Sequence, residues 1–131
     1  MKDLMKSNIY DCAEQIIIVG SCLKAMQPIA YHKLETMNLP IFDLCLEQTH
    51  INMAITKLLG MIRAKNISKV IFASVDKSPH CIQLHYIQDE ITKLGFKIDF
   101  VNYVAADDEL VEISKETISL SKNLKRLQEK L

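Results

Sequence analysis

The stretch KVIFASVDKSPHCIQLHY, residues 69–86, decides how the rest of the sequence is read. Its first seven residues form an apolar run with β-branched members, the pattern of a buried strand. Asp76, Pro79, His80, Cys81 and His85 then crowd into ten residues. Beyond them Leu84, Ile87, Ile91 and Leu94 recur at helical spacing, and Gly95 supplies a C-terminal stop. The stretch therefore reads as strand, chemistry-bearing loop and helix start.

Working outward, the same unit repeats. IIIVG (16–20) is a continuous β-branched run, PIFDLC (40–45) a shorter strand and KIDFVNYV (97–104) a fourth. Ile51, Ala54, Ile55, Leu58, Leu59 and Ile62 mark a helix between the second and third strands. Pro28 suits the first turn of a helix, so residues 28–37 read as a short helix after a loop, GSCLKAMQ. Strands alternating with helices at such short spacing imply parallel pairing through right-handed crossovers. The expected fold is α/β: a three-layer αβα domain over residues 1–131, with a four-stranded parallel sheet, Rossmann-like or flavodoxin-like.

The last segment, DDELVEISKETISLSKNLKRLQEKL, reads as one long C-terminal helix. Acids Asp107, Asp108 and Glu109 open it and bases Lys122, Lys125 and Arg126 close it, which suits the helix dipole. Leu110, Ile113, Thr117, Leu120, Leu124, Leu127 and Leu131 follow heptad-like spacing. Two readings stay open: a helix covering the sheet with a frayed end, or distal turns that pack on a second copy to make a homodimer.

Composition excludes several classes. The 131 residues carry 16 basic and 16 acidic side chains, so no net field draws the chain to nucleic acid or anionic lipid. No apolar run approaches the ~20 residues that cross a bilayer, and the first residues are too polar for a secretory signal. A cytoplasmic protein is expected, with its four cysteines serving as thiols, metal ligands or redox groups. With three glycines there is no GxGxxG and no GxxxxGK[ST] loop, and neither GxSxG nor HExxH occurs. VGSCLKAMQP retains one glycine, through which backbone amides, with Ser21, can hold an anion.

Ligands of doubly wound folds bind beyond the carboxyl ends of the strands. Strand one runs into Ser21 and Cys22, strand two ends at Cys45, and strand three runs into Asp76, His80 and Cys81. Three of the four cysteines thus map to one sheet edge, and only Cys12 lies elsewhere. Thiolates are soft ligands for iron–sulfur clusters, zinc or copper(I). A helix start at Cys81 would favour its thiolate. His85, four residues on, would share its helix face. The metal set expected is Cys22, Cys45 and Cys81 with His85 or the adjacent His80. Ser21, Asp76 and His80 are expected to contact a cofactor. The bland alternative is that small thiols fill space at strand ends, since none forms a CxxC pair. Asp76 also reads as a turn or capping residue, and His32 and His50 as surface or capping positions.

The layout resembles the small iron–sulfur (delta) subunit of methanogen methyl-viologen-reducing hydrogenase, which docks on heterodisulfide reductase. Cysteines follow successive strands in that family, and a segment near GCHPGDCHY precedes a helix, as SVDKSPHCIQLHY does here. The resemblance covers residues 16–103. It implies an iron–sulfur cluster and a redox partner protein, with Cys22, Cys45 and Cys81 matching three of the family's four ligands.

Three functions follow from these readings. One is an electron-transfer or metal-binding module with an iron–sulfur cluster or zinc. Another is a metal-free thiol site with Cys81 as nucleophile, His80 as base, and Cys22 or Cys45 as resolving partner. The third is a non-enzymatic flavodoxin-like domain binding a partner protein or small-molecule ligand in the same crevice.

Overall fold

A computed structural model describes residues 1–131. The chain runs β1 (Lys2–Asp3), β2 (Gln15–Gly20), α1 (Leu23–Met26), α2 (Pro28–Glu35), β3 (Ile41–Leu44), α3 (Ile51–Lys65) and β4 (Lys69–Val75). A 3₁₀ helix (Cys81–Tyr86) then leads into α4 (Ile87–Lys93), β5 (Asp99–Ala106), β6 (Glu109–Ile113), α5 (Lys115–Ser121) and α6 (Leu124–Lys130). The strands form one sheet in the order β1-β3-β2-β4-β5-β6. All neighbours pair in parallel except β5 and β6.

The IIIV run explains the layering. Ile16 and Ile18 face one core, with Phe42, Leu58, Met61, Phe72 and Leu84. Ile17 and Val19 face the other, with Leu23, Ala30, Leu34, Ile71 and Ala73. All four are fully buried. Side chains alternate across a strand, so a strand covered on both faces must be apolar throughout. α3 and α4 cover the first face, and α1 and α2 the second. At about 25 cal/mol per Å² of apolar surface removed from water, these two layers supply the main driving force for folding.

Two expectations need correcting. The sheet has six strands, not four. β1 is a two-residue edge pairing of Lys2 with Phe42 and Asp3 with Asp43, too short to show as a periodic pattern. β6 replaces the first part of the expected long C-terminal helix. Ala106 pairs with Glu109, leaving Asp107 and Asp108 as a two-residue hairpin loop with φ of +51° and +58°. Two successive left-handed residues are what a type I′ turn requires, and Asp tolerates them better than most side chains. ELVEI then runs as a strand, and Leu110 packs on the second core. What remains of the helix is α5, capped by Ser114, and α6, capped by Asn123.

The β5–β6 turn also locks onto α2. Asp108 Oδ1 accepts the Ile29 and Ala30 amides at 2.9 and 3.3 Å, and the Asp108 amide donates to Gln27 Oε1 at 2.6 Å. A residue some eighty positions away thus caps the helix that Pro28 begins.

Candidate functional site

Setting β1 aside, β3, β2, β4 and β5 lie in the flavodoxin-type order, whose direction of winding reverses between β2 and β4. A crevice of about 440 Å³ opens there, beyond the carboxyl ends of β2, β3 and β4. Gly20, Ser21 and Cys22 form one wall, Leu44, Cys45 and Glu47 another, and Val75 to Ser78 with His80 and Cys81 a third. Ser21 Oγ donates to Asp43 Oδ2 at 2.8 Å, tying β2's exit to β3.

Cys81 is a half-buried thiol of the crevice. Its Sγ accepts the Val75 amide at 3.2 Å, while its own amide donates to Ser78 Oγ at 3.1 Å. Gly20 makes room for the sulfur, because a methyl group at that position would overlap Cys81 Sγ. Burial pushes the Cys81 thiol above its ordinary 9.0; the Val75 amide opposes this, and the neighbouring Cys22 and Cys45 add to it. The thiolate-favouring helix start expected at Cys81 is therefore corrected: desolvation wins over a short 3₁₀ helix. Cys22 is exposed and Cys45 half-buried.

Of the seven residues singled out in the sequence, Ser21, Cys22, Cys45, Asp76, His80 and Cys81 all line this crevice. His85 does not. It is 1% exposed, and both ring nitrogens are engaged: Nε2 with Ser74 Oγ at 2.7 Å and Nδ1 with Asn102 Oδ1 at 2.9 Å. Cys12 also lies apart, its Sγ donating to the Ile9 carbonyl. His80 approaches Glu47 at 4.0 Å on the exposed rim, and His50 caps α3 by accepting the Asn52 amide. Three thiols share the crevice, yet no three His, Cys, Asp or Glu side chains converge closely enough to hold a metal ion as they stand.

Sequence reasoning passed over Met26, Gln27, Glu47 and Lys77 on the crevice wall. It also missed a buried polar network of Ser74, His85, Gln88 and Asn102. The available signal was a polar residue inside an apolar strand: Ser74 interrupts KVIFASV, and Asn102 interrupts KIDFVNYV. The network faces a second pocket of about 430 Å³, lined by Ser74, His85, Val104, Ile113, Thr117 and Ile118 among others. Residues 75–78 form the partition between the two pockets.

The family model of a Rossmann-like domain matches residues 12–131. The chain belongs to this Rossmann-like domain family. The match takes in β2 through α6 and leaves out only the short edge strand β1 and the loop after it. Comparison with curated proteins and with solved structures returns no match. No helix of this Rossmann-like domain is long and apolar enough to cross a membrane.

Proposed function

We propose that this Rossmann-like domain binds a small thiol-seeking cofactor, an iron–sulfur cluster or a soft metal such as zinc, in the crevice beyond β2, β3 and β4, and serves in electron transfer. One observation carries the reading: thiols from three separate strand exits, Cys22, Cys45 and Cys81, wall the one crevice at the point where the winding reverses. Cys22 and Cys45 stand on exposed or half-buried connections that can adjust around an occupant, and Cys81 supplies the fixed side. Burial, with a smaller addition from the neighbouring Cys22 and Cys45, favours the protonated Cys81, and a soft cation would reverse that by displacing the protons. Ser21, Asp76 and His80 would contact the occupant from the rim. The resemblance to the hydrogenase delta subunit favours a cluster as occupant and a redox protein as partner.

Purification under anaerobic conditions, followed by visible absorption and metal analysis, tests this. Bound iron or zinc is expected, and it should be lost in the Cys22→Ser/Cys45→Ser/Cys81→Ser variant. Metal-free, colourless protein would refute it.

A second reading is favoured by the packing of Cys81 against Gly20 and by the lack of a closed donor set. In it the crevice takes an organic ligand and the thiols are inert wall. Ligand binding that survives the triple Ser variant would select this reading. The metal-free redox reading with Cys81 as nucleophile is weaker, because burial disfavours its thiolate.

A further inference from the structure

The polar network under the second pocket has a polarity that can be worked out from one fixed point. The His85 backbone carbonyl can only accept, and Gln88 Nε2 donates to it at 2.7 Å. That orients the Gln88 amide. Its Nε2 also donates to Asn102 Oδ1 at 2.9 Å, and its Oε1 accepts from Asn102 Nδ2 at 3.2 Å, which orients Asn102 in turn. Asn102 Oδ1 then faces His85 Nδ1 at 2.9 Å as an acceptor, so Nδ1 carries the proton. Nε2 is left as a base, and the Ser74 hydroxyl at 2.7 Å must donate to it. All four side chains are at least 96% buried, and no buried polar atom lacks a partner.

Ser74, His85 and Asn102 thus stand as hydroxyl, general base and orienting group, the order of roles in nucleophilic serine catalysis. Ser74 and His85 both line the 430 Å³ pocket, where Ile82, Val104, Ile113 and Ile118 supply apolar wall and Asp76 and Lys77 are the charged residues. The geometry points to Ser74 as a nucleophile that takes the acyl group of a small apolar ester or thioester bound in this pocket. The Ser74 Oγ–carbon bond forms as the hydroxyl proton passes to His85 Nε2 and the carbonyl π pair moves onto oxygen. Collapse breaks the bond to the alkoxide or thiolate leaving group, which takes the proton from His85. Water repeats the sequence, releasing the carboxylic acid and restoring Ser74. The turn amides of Lys77 and Ser78, which donate to no other group in the chain, lie on the same wall and are the donors available to the oxyanion. Asn102 is a positioning residue: it fixes the histidine tautomer.

This site shares the wall of residues 75–78 with the thiol crevice, and its test is separate. The full chain is treated with a small alkyl fluorophosphonate, and the adduct is located by peptide mass mapping. Labelling is expected on Ser74, and slowed by at least ~100-fold in His85→Gln. The rate should fall as the pH drops through the titration of His85, because protonated Nε2 cannot accept the serine proton. Asn102→Leu should alter that pH profile, whereas a purely structural asparagine would change only the melting temperature. Mapping on the unaltered chain keeps the outcome readable even where a variant folds poorly. Absence of an adduct on Ser74, or a rate indifferent to pH across that range, would overturn the proposal.

Discussion

Cys81 and His85 show how much one side chain's surroundings decide. Four residues apart on an α-helix, they would lie about 40° apart around the axis. The segment is a 3₁₀ helix, with three residues per turn, and the same spacing turns them about 120° apart. Cys81 therefore faces the thiol crevice and His85 faces the other pocket. That Cys22, Cys45 and Cys81 line one edge of the sheet was legible in the sequence, because it follows from where strands end. The direction of His85 was not, because 3₁₀ and α geometry share one apolar pattern over so few residues. Three predictions belong at this scale. Alkylation of Cys81 should have an apparent pKa above 9.0, measured by mass spectrometry of modification rate against pH, and a value below that of free cysteine would contradict the burial argument. Gly20→Ala should destabilise by about 1–3 kcal/mol through overlap with Cys81 Sγ, and Cys81→Ala should recover much of that loss in a double-mutant unfolding cycle. His85 titrates below its ordinary 6.5, chiefly from burial against the raising effect of Asn102. The unfolded chain therefore binds the proton first, so this contribution to stability is present above about 6.5 and declines as the pH falls below it. Denaturant midpoints from pH 7 to 5 should drop for the natural chain and drop less for His85→Gln.

At the scale of elements, β2, β4 and α3 were readable because long apolar patterns leave little choice. β4 spans Lys69–Val75, the run seen in the sequence. The segment after β5 was misread because its cues serve two structures. Asp107 and Asp108 suit a helix N-terminus, yet both also tolerate left-handed φ, and ELVEI, with Leu110 and Val111 side by side, marks neither period clearly. Tertiary pairing with β5 decides between them. The two acids have distinct tasks. Asp107 turns the chain, whereas Asp108 caps α2 from across the sequence. Asp108→Ala should cost about 1 kcal/mol in chemical unfolding, the usual loss on removing a helix cap, while Asp107→Gly should cost nothing or stabilise slightly. Equal losses at the two positions would show that the turn, not the cap, matters.

The whole molecule is two apolar layers around one sheet, with α5 and α6 appended beyond β6. α5 is anchored: Ile118 is buried, and Ser121 bonds Tyr86 at 3.0 Å. α6 buries no residue, and Leu124 and Leu131 are 75% and 92% exposed. Truncation after Asn123 should therefore leave the thermal midpoint within about 2 °C of the full chain. A drop of 5 °C or more would show that α6 contributes to the fold.

The shape of this fold also explains why function gathers where it does. Parallel strands deliver their loops to one edge, and the reversal of winding parts those loops into a crevice. That logic made the crevice foreseeable from strand order alone, while the second pocket depends on β6 and α5, which the sequence hid. Native mass spectrometry of the anaerobically purified chain is the most direct test of the crevice assignment. The predicted result is a mass exceeding that of the polypeptide by a metal or iron–sulfur occupant, with the excess absent once Cys22, Cys45 and Cys81 are replaced by serine. A polypeptide-only mass for the unaltered chain, or an excess unchanged by those replacements, would contradict it.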